Sequence, residues 1–205
     1  MAQYQLTFAR GLLYAKIVLK GITVGDKALR EHFEAINHRN AIYYVEDIIK
    51  KEERFSEWQI RNIHQLILKN IDDDNAGRYS QQNVLISGTT YTPPDYTLLN
   101  DKMTQFIDWY NTKADLMHPI ERAAKVHADF VGIHPFINGN ISRLLMNLEL
   151  MKAGYPPCVI TVENRLAYYE ALDQWMVFGK TKAFDQLVAG AVLEGFKPYQ
   201  VVLGI

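Results

Sequence analysis

The segment His134-Pro135-Phe136-Ile137-Asn138-Gly139-Asn140 gathers an ionisable ring, a conformationally free glycine and two carboxamides in one short loop, with Arg143 three residues further on. Pro135 ends whatever helix precedes it, and Gly139 admits backbone conformations that other residues resist. A helix that starts just after such a loop presents free backbone N–H groups, and these, with an arginine beside them, suit an anion such as a phosphate. A histidine at the edge of that site titrates near neutrality and has the chemistry of a general base. The bland alternative is a helix–loop–helix turn with a structural histidine, and the residues alone leave both readings open.

The elements around the loop read as helices. Asp26 caps a helix from Lys27 towards Lys50, with Leu29, Phe33, Ile36, Ala41, Val45 and Ile48 at helical spacing. Ser56 and Gln59 form a capping-box pair that opens a second helix, expected to end near Asn70 before the turn chemistry of Asp72 to Gly77. A third helix spans Thr97 to Asn111. Pro119 suits the first position of a fourth, which carries Ile120, Ala123, Ala124, His127, Phe130 and Val131 on one face and delivers the chain to His134. A fifth restarts near Ser142 and stops at Gly154, and two more fit Glu163 to Phe178 and Ala183 to Phe196. The exception lies between Tyr79 and Thr92, where two β-prone runs flank Ser87-Gly88 and stop at Pro93-Pro94, the pattern of a hairpin. The expected architecture is therefore mainly α, a helical bundle with one β-hairpin.

Bulk properties narrow the function classes. The 205 residues suffice for one sizeable domain, and 48% apolar with 22% charged residues argues for a packed core. Twenty-two Lys+Arg against 23 Asp+Glu give a formal charge of −1, which offers no global footprint for nucleic acid or an anionic membrane. No apolar run is long enough to span a bilayer, and the N-terminal sequence lacks a signal-peptide pattern. The lone cysteine, Cys158, points to a reducing, cytoplasmic setting in which the sequon Asn140-Ile141-Ser142 goes unused. His32, His38, His64 and His118 show no metal spacing, so no metal site is assigned. Asp72-Asp73-Asp74 reads as a solvated turn, because the rest of a calcium loop is absent. His127, on an apolar helix face, reads as a hydrogen-bonded core residue.

HPFINGNISR resembles the active-site motif of the Fic/Doc family, His-Pro-Phe-x-Asp/Glu-Gly-Asn-Gly-Arg-x-x-Arg. The flanking blocks AAKVHADFVGIHPF and RLLMNLELMKAGYPP are also similar to family sequence, as are GITVGDKALREHFEAINHRNA, GRYSQQNVLISGTTYTPP and YYEALDQW. The resemblance implies a Fic-fold bundle over residues 1–205 as a single domain. Within it, 1–25 is a divergent N-terminal segment, 79–92 the hairpin called the flap and 134–143 the active-site loop. It further implies transfer of AMP from ATP to a hydroxyl side chain of a protein, usually with magnesium. His134 would be the general base, and Asn138, Gly139, Asn140 and Arg143 would bind the nucleotide. Val84, Leu85, Ile86, Ser87 and Gly88 would hold a strand of the target by backbone pairing. Whether the chain forms a homo-oligomer is left open.

The chain departs from the family pattern where charge matters. Asn138 stands at the acidic position and is a poorer magnesium ligand than a carboxylate, so a magnesium expectation is weakened. Only Ile141-Ser142 separate Asn140 from Arg143, which matches the second motif arginine, so two positions are missing, best assigned to the glycine and first arginine. Ser80 stands where many relatives carry a basic residue. No Ser/Thr-x-x-x-Glu inhibitory helix is found near Gln3 to Thr7 or Glu194. These losses leave two function classes: a transferase of reduced or lost activity, and a non-catalytic module that binds a protein strand through its hairpin. In either class Tyr168 and Tyr169 could approach an adenine ring, although helix packing accounts for at least one of them.

Overall fold

A computed structural model of the protein describes residues 29–53, 55–86, 89–137 and 141–203. The chain divides into two compact units at Tyr79–Ser80. The first holds α1 (Leu29–Lys50) and α2 (Glu57–Leu68), and the second holds α3 (Leu99–Lys113), α4 (Pro119–Ile133), α5 (Ile141–Lys152), α6 (Arg165–Phe178) and α7 (Lys182–Leu203). Short 3-10 turns at Tyr96–Leu98, Ala114–Leu116 and Val162–Asn164 lead into or out of these helices.

In the first unit α1 and α2 pack through Ala41, Val45 and Ile48 on one side and Ile60 and Ile63 on the other, all buried. The capping box reads as expected: the Ser56 hydroxyl accepts from the Gln59 N–H, and Gln59 returns its side-chain oxygen to the Ser56 N–H at 2.9 Å. At the other end of α2, the Asn37 carboxamide donates to the carbonyls of Ile67 (3.0 Å) and Lys69 (2.6 Å), satisfying two groups that a helix end leaves unpaired. The Asp72–Gly77 segment is the turn that its composition predicts, with Asn75 donating to both Asp72 carboxylate oxygens and Gly77 at φ +75°. Buried His64 is a core residue, and its Nδ1 accepts the Gly77 N–H at 3.0 Å.

The second unit is organised around α4, which packs against α3, α5, α6 and α7. Pro119 occupies its first turn, and the His118 side chain accepts from the Ile120 N–H. Its buried face is small: Ala123, Ala124 and Ala128 let Met146 and Leu150 of α5 and Phe184 and Val188 of α7 close on it in one apolar core. Buried Asn147 pins the chain after α5 by exchanging two hydrogen bonds with the Cys158 backbone, at 2.8 and 3.2 Å. Gly154 and Gly179, both in the left-handed region, end α5 and α6.

One expectation differs from what is observed. The last helix does not stop at Phe196 but runs on through Pro198, whose missing N–H costs one helical hydrogen bond on an exposed face. No strand occurs among the described residues of the hairpin expected over 79–92, and its turn, Ser87 and Gly88, lies outside the described residues. Among the described residues its arms are fastened by side chains. Asn83 donates to Asp95 at 2.8 Å and accepts from the Tyr96 N–H at 2.9 Å, tying the base of the loop together.

Candidate active site

His134 caps the C-terminus of α4 in the left-handed conformation, φ 49° and ψ 53°, while its N–H still bonds to the Phe130 carbonyl at 3.1 Å. That conformation is costly for a residue with a Cβ, and such residues gather at functional sites. Its ring is half-buried and donates to the Val131 carbonyl; burial, the larger effect, moves the imidazole below its ordinary value near 6.5, against the bond to Val131. The ring is therefore neutral at neutral pH. With one nitrogen committed as donor to Val131, the other keeps its lone pair and can accept a proton.

The loop that follows is anchored twice. Phe136 is buried and packs on Phe130, ring centroids 6.2 Å apart. The Pro135 carbonyl accepts the Ser80 N–H at 2.9 Å, and the Ser80 hydroxyl closes a local turn with the Gln82 backbone. Ser80 thus ties the start of the expected flap segment to the loop that follows His134. Its sequence, read only as a departure from a basic position, carried no sign of this. Beyond Ile137, the predicted site residues Asn138, Gly139 and Asn140 lie outside the described residues.

Arg143 sits in the first turn of α5, which carries no acidic residue. A cation there opposes the helix dipole, so the positive end of α5 and the guanidinium add together and favour an anion. The guanidinium lies 5.8 Å from the Tyr168 ring centroid and hydrogen-bonds to the Tyr168 hydroxyl. Tyr168 Oη in turn lies 2.9 Å from Nε2 of fully buried His127. Because Arg143 can only donate, the Tyr168 oxygen accepts from it, and Tyr168 shares its other hydrogen bond with His127. Burial pushes the His127 pKa down to about 3, so the ring stays neutral and is, as its sequence position predicts, a hydrogen-bonded core residue. Tyr169, by contrast, is 46% exposed with Arg165 over its ring at 5.6 Å. Of the two tyrosines, packing therefore accounts for Tyr168.

In the flap segment Val84 and Ile86 are half-buried and Leu85 is 87% exposed, a period-two alternation in keeping with an extended strand. The arm after Gly88 is held by long-range bonds: Thr89 donates to Asp173, and Tyr91 Oη donates to the Gly132 carbonyl at 3.1 Å. Ser80, Asn83, Thr89, Tyr91 and the Tyr168 tie all escaped the sequence reading, since each partner lies far along the chain.

A magnesium site made by the protein does not fit what is present. Among the described residues no group of three or more His, Cys, Asp or Glu side chains could hold a metal. The loop's own candidate donor, Asn138, is a neutral amide, whereas magnesium sites usually rest on carboxylates.

Residues 54–150 match the Fic/DOC family. Among curated proteins, the chain is 37% identical over 188 residues to the protein adenylyltransferase Fic of Nematostella vectensis, covering 90% of this chain and 42% of that protein. It is 35% identical over 161 residues to the protein adenylyltransferase fic-1 of Caenorhabditis elegans, covering 76% and 31% respectively. The chain thus spans less than half the length of these relatives. Among solved structures, C. elegans Fic-1 superposes with a TM-score of 0.82 at 29% identity, over 93% of this chain and 57% of that one. A Fic-domain-containing signalling protein from Bacteroides thetaiotaomicron superposes at 0.80 and 28% identity, over 89% and 76%. Its motif-bearing loop, helical bundle and matched residues establish that this chain belongs to the Fic/DOC family.

Proposed function

We propose that this chain is a protein adenylyltransferase, moving AMP from ATP to a hydroxyl side chain of a target protein. The observation that carries the reading is the state of His134: neutral, held in a left-handed backbone conformation, with its donor nitrogen tied to Val131 and the other nitrogen available. Relatives 35–37% identical bear the name protein adenylyltransferase. In the proposed reaction the target hydroxyl oxygen bonds to the α-phosphorus of ATP, its proton passes to the His134 nitrogen, and the bond to the leaving oxygen breaks to release pyrophosphate. Asn138, Gly139 and Asn140 would cradle the phosphates with Arg143, and Val84 to Gly88 would hold the target strand. Magnesium, if it accompanies the nucleotide, would be held mainly by phosphate oxygens. In its other expected attributes the protein is a single Fic-like domain working in the cytoplasm, a placement that rests on the unpaired Cys158. No helix among the described residues is long and apolar enough to cross a membrane.

The altered loop limits the rate. A neutral Asn138 and the two missing positions remove charge where charge develops in the transfer, and each such loss costs about 2.7–4 kcal/mol of transition-state stabilisation. The second reading, a strand-binding module without turnover, is favoured by the same departures together with the exposed Leu85. Mass spectrometry of a lysate incubated with the protein and ATP separates the two. An AMP adduct on a serine, threonine or tyrosine supports transfer. A target retained through the flap without any adduct supports the module.

A further inference from the structure

A cavity of about 600 Å³ opens beside the arm that follows the flap, between α3, α4 and α6. It reaches Gly132 and Ile133, just before the catalytic histidine. Small residues on α4 make the room: a Cβ at Gly132 would already meet Tyr91 Oη at 3.4 Å and Met176 Sδ at 3.5 Å, so a larger side chain would fill the space. The walls are aromatic, with Trp109, Phe106, Trp175 and Tyr91.

The polar groups of the cavity are preorganised. Lys125 Nζ lies 2.6 Å from Asp129 Oδ2, 4.8 Å from the Trp109 ring centroid and 5.9 Å from that of Trp175. Trp175 Nε1 donates to the other Asp129 oxygen at 3.0 Å. Lys125 therefore matches Asp129, and exposed Lys102 at the rim leaves one surplus positive charge among the lining residues. A volume of this size exceeds one side chain and lies within the roughly 300–1,000 Å³ range of ligand pockets.

The occupant follows from position and charge. Pro93 and Pro94 end the flap arm without backbone N–H groups, so strand pairing cannot extend past Thr92. A target chain that continues along this arm must be read there through its side chains. We infer that the cavity is a specificity subsite for the target protein, taking an aromatic residue with an acidic neighbour from the segment beside the modified hydroxyl. The inference rests on the proposed reading of the flap as the target-binding element.

The test is binding of His134→Ala protein to an array of short serine- and threonine-containing peptides with every residue pair varied. The subsite predicts enrichment of Phe, Tyr or Trp next to Asp or Glu at a fixed offset from the hydroxyl residue. Trp109→Ala should weaken those peptides about tenfold. Lys102→Glu, a surface change compatible with folding, should turn the preference from an acidic to a basic neighbour while keeping the aromatic. No enrichment, or an enrichment that both variants leave intact, overturns the subsite. AMP labelling by the native chain is read separately. Labelling without the aromatic–acidic preference sinks the subsite alone, and the preference without labelling sinks the transfer reading alone.

Discussion

The Arg143 guanidinium lies 5.8 Å from the Tyr168 ring centroid and donates to its hydroxyl, so the remaining motif arginine is held by a buried tyrosine in the first turn of α6. Tyr168→Phe keeps the ring and deletes the acceptor. It should cost about 1 kcal/mol of stability and lower AMP transfer per folded molecule by roughly tenfold, because the arginine loses its fixed direction. Thermal melting and labelling of the same preparation check both; an unchanged rate would detach Tyr168 from the site.

His127 supplies a pH signature. Its pKa of about 3 in the folded chain lies below the 6.5 of an unperturbed histidine, so between those values the unfolded chain binds more protons. The stabilisation is full above pH 6.5 and is lost as pH falls towards 3, by roughly a few kcal/mol in total. Denaturant titrations across that window should show stability falling with acid, and a His127→Gln variant should show a shallower slope.

His134 is where function and stability oppose each other. His134→Gly removes the left-handed strain, since glycine adopts φ 49° freely. It should be about 0.5–1 kcal/mol more stable than the native chain and yet silent in transfer. Loss of both stability and activity would show that the ring is mainly a packing element.

The base of the flap is fastened by Asn83 through Asp95 and the Tyr96 N–H. Asn83→Ala should raise the KM for the protein target by roughly fivefold, the effect of about 1 kcal/mol, and leave the KM for ATP in place. Faster proteolysis between Ser80 and Pro94 would accompany it.

Away from the site, fully buried Glu149 meets Arg122 at 2.8 Å and the Tyr110 hydroxyl at 2.6 Å. Arg122→Ala would strand that carboxylate, and losses of about 3–5 kcal/mol are usual for a broken buried pair. The activity of the molecules that remain folded should be unchanged.

The helices were legible because their signals are local. Ser56 and Gln59 lie three residues apart, Pro119 and Gly154 mark their own positions, and the apolar face of α4 repeats every turn. His134 was legible as a candidate base for the same reason, through the short run around Pro135 and Gly139. What the sequence hid is held over distance. Thr89 finds Asp173, Tyr91 finds Gly132, Arg143 finds Tyr168, and no short-range pattern announces any of them. Ser80 misled because a departure from a family position carries no hint of its bond to Pro135. The last helix outran its expected end at Phe196 because an exposed helix end tolerates the one bond lost at Pro198.

The central claim is transfer of AMP by His134, and incubation with ATP labelled at the α-phosphate tests it most directly. The native chain, His134→Ala and a chain with an acidic residue at Asn138 and the two missing positions restored would be compared, with lysate as a source of targets. The account predicts weak α-label on protein from the native chain, stronger label from the restored chain and none from His134→Ala. Label that persists in His134→Ala, or silence from both the native and the restored chain, would contradict it.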